Sequence, residues 1–196
     1  MNRTEALEAL QLRIKDSSTL KHALLTEAIM HSLAVRLHED QALWAMTGLV
    51  HNIDAERIGE NTKMHGLLGG DILEGLDFDE TLVYAVRSQS SDNEYPRRRK
   101  IDKALFSSAA AATFMQKALE VPELLDYRPQ NADVRRKETE EGSFKPYDDL
   151  IELLKQRMED SEATEEDIKK AIHSSVELEL VLNDFLALVL DALKSV

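Results

Sequence analysis

Three histidines, His22, His51 and His65, stand beside apolar sequence near the ends of consecutive predicted helices. Around His51, an apolar helix ends on a histidine, an amide and a carboxylate within the stretch Leu49–Asp54. Facing helices of a bundle commonly build ligand and metal sites from such side chains, and imidazole is a frequent zinc ligand. Two interpretations stay open, a shared site or three separate structural histidines, because no short-range ligand motif such as His-x-x-x-His is present.

Helices are the elements that must position these side chains. Apolar residues recur at three- and four-residue spacing through most of the chain, which is typical of an all-α protein. Asp16 and Asp40 are predicted N-caps, and Gly48 inside a helix, which costs about 1 kcal/mol against alanine, indicates close approach of another helix. The pattern predicts a single helical domain over residues 1–196 with eight or nine helices and no strand, among them 3–15, 18–38, 41–53, 64–73, 80–87, 98–119, 147–160 and a last helix from 164.

Two segments carry a distinctive order of residue types, Gly-Leu-Val-His-Asn-Ile-Asp at Gly48–Asp54 and His-Gly-Leu-Leu-Gly-Gly-Asp-Ile-Leu at His65–Leu73. Together with other segments in the same order, they resemble the HD-domain superfamily, in particular its HDIG-type single-domain bacterial branch. The other matching segments are Lys21–Leu24, Glu27–Met30, Ala85–Gln89, Lys103–Ala109, Val134–Lys137 and Ser143–Phe144. The resemblance covers roughly 3–145 and 171–194, with a probable helical insertion at 147–165. It implies an HD-type helical bundle and a metal-dependent phosphohydrolase.

The resemblance also implies a metal site of two histidines and two aspartates, surrounded by further histidines. Carried over residue by residue, these positions are His22, His51, Asn52 and Ala109, with His65 and Gln89 in the outer set. Both carboxylate ligands are replaced, so Mg²⁺ and Mn²⁺ should bind poorly. Zn²⁺ could still bind His22, His51 and His65, with at most a carbonyl oxygen from Asn52. The expected cofactor is a divalent metal (Zn, Mn, Mg or Fe) that is weakly bound or absent.

Other polar residues in these segments are candidates for contact with a substrate. Asp54 would act as a catalytic group or, alternatively, orient a histidine. Arg87 is a predicted catalytic and phosphate-binding residue, because arginine can pair with phosphate through two hydrogen bonds. The predicted substrate-binding set is Arg57, Arg87, Gln89 and Lys103.

Three functions are compatible with these features. The first is a ligand-binding or regulatory module that keeps the HD-type pocket without the metal chemistry, since a phosphohydrolase without its metal lacks the Lewis acid and the activated water. The second is an active metal-dependent phosphohydrolase that uses the three histidines on a small phosphorylated molecule, such as a nucleotide. The third is a structural or oligomerising helical protein. No cysteine, Gly-x-Ser-x-Gly elbow or phosphate-binding glycine loop offers a different chemistry.

Composition sets the remaining bounds. With 196 residues, 43% of them hydrophobic, and a net charge of −13, the chain can bury a core and should be repelled by nucleic acid and anionic membranes. It has no cysteine and lacks the apolar run of roughly 18 residues that a bilayer span needs, so a cytoplasmic protein is expected; homo-oligomerisation stays open. The basic clusters Arg97–Lys100 and Arg135–Lys137 are either solvated surface or an anion-binding rim.

Overall fold

The computed structural model describes residues 1–90 and 94–118, together with residues 178, 180, 185, 188, 189, 191 and 192. In this part of the chain all regular structure is helical, as predicted. Six helices of eight or more residues, one four-residue helix and a short 3-10 turn at Thr62–Met64 follow one another. The α-helices are α1 (Arg3–Arg13), α2 (Ser17–Leu37), α3 (Gln41–Val50), α4 (Ala55–Ile58), α5 (Leu67–Glu74), α6 (Glu80–Arg87) and α7 (Lys100–Ala118). None of the described helices has both the length and the apolar character needed to cross a membrane.

The helix boundaries differ from the predicted ones mainly around the histidines. The third helix ends at Val50 rather than at residue 53, which leaves His51 in a turn. The helix predicted over 64–73 begins only at Leu67, because Gly66 has φ 81°, outside the helical region. The predicted helices beyond residue 146, the insertion at 147–165 and the cluster Arg135–Lys137 lie outside the described residues.

Aspartate side chains cap the helices that carry the site. Asp16 accepts a hydrogen bond from the backbone N–H of Thr19 at the start of α2, and Asp40 accepts one from Leu43 at the start of α3. Both predicted caps are therefore confirmed. Such a cap satisfies an otherwise unpaired amide of the first helical turn and stabilises a helix by about 1 kcal/mol.

The core is organised around α2, which packs most extensively against α3 and then against α7. Its fully buried residues include Leu25, Ile29 and Leu33. Gly48 allows α3 to approach α2 closely, since a Cβ at this position would lie 2.7 Å from the carbonyl oxygen of Thr26. The packing role predicted for this glycine is confirmed, and the close approach brings the end of α3 beside the middle of α2.

Candidate functional site

A cavity of about 460 Å³ opens between the start of α2, the turn after α3, the segment before α5, the end of α6 and one face of α7. The structure brings together here the six residues that the resemblance assigns to the metal site and its surroundings. Other polar residues of α2 and α7 complete the wall. The lining residues are Ser18, Thr19, His22, His51, Asn52, His65, Gln89, Phe106, Ala109, Ala110, Thr113 and Gln116.

The hydrogen bonds of His22 fix the tautomer of its ring. Its Nε2 lies 3.0 Å from the carbonyl oxygen of Ala109 and 3.1 Å from the hydroxyl of Thr113. Because a carbonyl can only accept, Nε2 carries the hydrogen and Nδ1 is the acceptor in the neutral ring. The amide Nδ2 of Asn52 lies 3.0 Å from that Nδ1 and donates to it. Both nitrogens of His22 are therefore bonded to protein groups, and burial lowers the pKa of its imidazole.

His51 is almost fully buried, with 1% of its surface exposed. Its Nδ1 donates to the carbonyl oxygen of Gly48 at 2.7 Å, so Nε2 carries a bare lone pair. That Nε2 is buried and has no hydrogen-bond partner among the described residues. Burial, and then the neighbouring ring of His22 at a centroid distance of 5.3 Å, hold the pKa of His51 well below its usual range. The imidazole is consequently neutral at physiological pH.

His65 is the outer histidine of the cavity, and Asp54 holds it in place. The Nδ1 of His65 donates to Oδ1 of Asp54 at 3.0 Å, with 30% of the histidine side chain exposed and none of the aspartate. The other oxygen of Asp54 accepts the backbone N–H groups of Gly66 and Gly69 at 2.8 and 2.9 Å. Asp54 does not line the cavity. Its contacts fit the orienting alternative rather than direct catalysis, and they leave Nε2 of His65 as an acceptor toward the cavity.

These groups do not fit the two-histidine, two-aspartate metal site that the resemblance implies. No cluster of three or more His, Asp or Glu side chains within the described ranges could hold a metal ion. His22 has no free nitrogen, Asn52 presents an N–H group to it where a carboxylate is expected, and Ala109 has only a methyl group. Within the described part of the chain, the bare Nε2 of His51 is the only ring nitrogen in the inner part of the cavity with a lone pair that a metal could use.

The predicted cationic substrate contacts do not face this cavity. Arg87 bonds Asp71 at 2.8 Å and Glu74 at 2.7 Å, and its side chain packs over Gly70. Neither Arg57, which is exposed, nor Lys103 lines the cavity. Arg87, predicted to be catalytic and to bind phosphate, is not part of the cavity lining, because two carboxylates on α5 hold its guanidinium. Of the predicted substrate-binding set only Gln89 belongs to the cavity wall.

The basic cluster at the start of α7 is largely paired within the protein. Arg97 donates to the carbonyl oxygen of Ser88 and stacks over the ring of Phe106 at 3.9 Å. Arg99 pairs with the buried Asp102 at 2.7 Å, and Lys100 pairs with Glu39 at 2.9 Å. Of the two predicted alternatives, these contacts favour ordinary protein surface over an anion-binding rim.

Sequence reasoning missed the cavity residues contributed by α7. Phe106, Ala110, Thr113 and Gln116 follow one another at three- and four-residue spacing and line the cavity with Ala109. That spacing places them on one face of a helix. The polar pair Thr113 and Gln116, continuing the face of Ala109, was the available signal. Its meaning depended on knowing which face of α7 turns toward α2.

Comparisons with known proteins give no match: no family model, no curated protein and no solved structure matches this chain. The HD-superfamily resemblance therefore stays a prediction from the sequence. The geometry of the cavity is the basis on which a function can be proposed.

Proposed function

We propose that this chain is a cytoplasmic HD-type helical protein, a bundle of eight or nine helices, that binds a small molecule in the histidine cavity. In this proposal the protein has lost the metal-dependent phosphohydrolase chemistry and acts as a binding or regulatory module. The cavity volume of about 460 Å³ suits a small ligand.

The hydrogen bonds of His22 are the observation that supports this proposal most directly. A ligand histidine must offer a lone pair to the metal, yet Nδ1 of His22 accepts from Asn52 and its Nε2–H donates to Ala109. Metal binding at His22 would break at least one of these bonds, each with a net value of about 1 kcal/mol. Without a carboxylate at positions 52 or 109, no anionic ligand among the described residues compensates for that loss.

One observation favours a second candidate, a hydrolase with a reduced His22, His51 and His65 site. The Nε2 of His51 is buried without a partner among the described residues, and a divalent metal would satisfy it. A phosphorylated substrate would also need cationic groups, and the described lining contains no Lys or Arg. The binding module is therefore the function we prefer.

Metal content separates the two candidates. We expect natural protein purified without chelator to contain far less than one equivalent of Zn, Mn, Mg or Fe by elemental analysis. We expect the double variant Asn52→Asp with Ala109→Asp to bind Mn²⁺ more tightly than the natural protein. The gain in affinity should exceed the roughly 10–100-fold that outer partners of a metal site contribute, because the new carboxylates are direct ligands. Each single variant is the matched control and should gain little, because both carboxylates act in one coordination sphere.

Two results would contradict the proposal. Natural protein that carries a stoichiometric divalent metal and hydrolyses a generic phosphate ester would identify the hydrolase. A double variant that keeps its helical circular dichroism spectrum but does not bind Mn²⁺ would contradict the assignment of positions 52 and 109 to a lost metal site.

A further inference from the structure

The donor hydrogens of the cavity wall are mostly used within the protein. His22 and Thr113 both donate to the carbonyl oxygen of Ala109, and Thr19 donates to Asp16. The amide group of Gln116 donates to the backbone oxygen and to the hydroxyl of Ser18, at 3.0 and 2.8 Å. What remains on the donor side of the described wall is the hydroxyl hydrogen of Ser18 and the second amide hydrogens of Asn52 and Gln89.

The acceptors of the same side chains are mostly unused. The Nε2 of His65 has no hydrogen-bond partner within the described part of the chain, because its ring hydrogen is on Nδ1 and bonds Asp54. The amide oxygens of Asn52, Gln89 and Gln116 are likewise without a partner there, since their contacts all involve the amide nitrogens. The lining side chains therefore keep more unused acceptors than unused donor hydrogens, which favours a ligand that donates hydrogen bonds over one that can only accept them.

The charges around the cavity favour the same kind of ligand. No Lys or Arg side chain belongs to the described lining, and the hydrogen-bond pattern of His22 is that of a neutral ring. Arg97 stacks over the lining residue Phe106, but it is not part of the lining and donates to the carbonyl oxygen of Ser88. The buried carboxylate of Asp54 lies directly behind His65 and holds the ring hydrogen on Nδ1, which leaves the outward nitrogen as an acceptor. The whole chain carries a net charge of −13, which attracts cations and repels anions.

We propose that the cavity binds a small organic cation of the amidinium or ammonium class. Its N–H groups donate to Nε2 of His65 and to the amide oxygens of Asn52 and Gln89. Phosphate and carboxylate groups present only acceptors when ionised and find few donors here. This inference rests on the proposed binding function and specifies its ligand class, replacing the phosphorylated molecule expected from the sequence.

Three probes of nearly identical shape test the ligand class: benzamidine, benzamide and benzoate, which are cationic, neutral and anionic. Calorimetric titration of the full natural chain near neutral pH should show benzamidine binding about tenfold more tightly than benzamide. Benzoate and inorganic phosphate should not bind measurably. Phe106 in the cavity wall offers the same aromatic surface to the phenyl ring of all three probes, so the probes differ only in their polar group.

Two variants locate the binding. His65→Phe and Gln89→Leu should each weaken benzamidine binding about five- to tenfold, because each removes one acceptor. His31→Phe is the matched control, since His31 is exposed on α2 and does not line the cavity, and it should leave the affinity unchanged. Circular dichroism of each variant checks that it is folded.

Several outcomes would overturn the inference. Benzoate or phosphate binding as tightly as benzamidine would show that the cavity does not prefer a cationic hydrogen-bond donor. If none of the probes bound, the cavity would not be a site for small amidinium or ammonium ligands. Benzamidine affinity unchanged in both His65→Phe and Gln89→Leu would place the probe outside this cavity. None of these outcomes depends on metal content, so failure of this inference and failure of the proposed function remain distinguishable.

Discussion

The cavity has two regions that use histidine in different ways. In the inner cluster, made of His22, His51 and Asn52, backbone carbonyl groups of Ala109 and Gly48 fix the ring hydrogens. In the outer dyad, made of Asp54 and His65, a buried carboxylate fixes the ring hydrogen and leaves the opposite nitrogen toward the cavity. Both regions hold their imidazoles in one tautomer, but only the outer one keeps a partly exposed ring nitrogen as an acceptor.

The difference follows from what faces each ring. Burial lowers the pKa of His22 and of His51 and keeps both rings neutral, because an uncharged backbone carbonyl offsets only part of the cost of a buried positive charge. The outer ring is partly exposed and pairs with an anionic side chain. The two inner rings therefore act as a polar part of the core, whereas the ring of His65 is available to a ligand. The three predictions below test this contrast, from the largest expected effect to the smallest.

The inner cluster should depend on the close approach of α2 and α3. In Gly48→Ala, the new Cβ would lie 2.7–2.9 Å from backbone atoms of Thr26 and Glu27, which cannot move by a change of rotamer. We expect a loss of about 3 kcal/mol in the free energy of unfolding, measured by urea denaturation, because the helices must separate.

Gly75→Ala is the control for this substitution. Gly75 has φ −65°, and a Cβ at this position would have the carbonyl oxygen of Asp71 as its nearest neighbour, at an ordinary contact distance of 3.4 Å. The substitution should change stability by less than about 1 kcal/mol, in the stabilising direction. Equal effects at the two glycines would show that the close approach of α2 imposes no cost at Gly48, because helix propensity alone favours alanine over glycine.

The outer dyad should depend on the charge and the two acceptor oxygens of Asp54. In Asp54→Asn, one oxygen becomes an N–H₂ group, while the amides of Gly66 and Gly69 still require an acceptor. We expect the ring of His65 to move its hydrogen from Nδ1 to Nε2, which turns the outward nitrogen into a donor. The free energy of unfolding should fall by about 2 kcal/mol, because hydrogen bonds to a buried charged group are lost.

Long-range ¹H–¹⁵N NMR spectra of the histidine rings report which nitrogen carries the hydrogen. Asp77→Asn is the control, since Asp77 is exposed and has φ 56°, a conformation that asparagine tolerates. It should change stability by less than about 0.5 kcal/mol. An unchanged His65 tautomer in Asp54→Asn would show that Asp54 does not set the orientation of the outer ring.

Much of this arrangement was predictable from the sequence. Apolar spacing predicted the helices, and aspartates ahead of apolar runs predicted the caps at Asp16 and Asp40. The meeting of His22, His51 and His65 at one cavity followed from the resemblance. These features depend on local pattern or on the order of segments, both of which are visible in one sequence.

The orientation of long polar side chains was not predictable in the same way. Arg87 lies two residues from Gln89, yet Asp71 and Glu74 draw its guanidinium to the surface of α5 while Gln89 lines the cavity. Such a choice depends on the relative rotation of α5 and α6, which the sequence does not encode locally. For the same reason, the sequence left two roles open for Asp54, a catalytic group or a partner that orients a histidine. The turn before α5 places Asp54 against His65 and favours the second role.

The last prediction concerns pH and the inner cluster. His51 has an ordinary pKa of 6.5 when unfolded and a pKa well below that value when folded, because burial disfavours its charged form. Below pH 6.5 His51 therefore binds a proton in the unfolded chain but not in the folded chain. The stability that this group contributes is thus present above pH 6.5 and is lost as the pH falls. One such histidine changes the free energy of unfolding by up to about 1.4 kcal/mol per pH unit.

Urea titrations at about pH 7.5, 6.5 and 5.5 test this effect. Between about pH 6.5 and 5.5 the free energy of unfolding should fall by about 1 kcal/mol more in natural protein than in His51→Gln. The exposed His31→Gln variant should follow the natural curve. Parallel curves for natural protein and His51→Gln would show that His51 is protonated in the folded state, and the contrast between a neutral inner cluster and an accessible outer dyad would then be wrong.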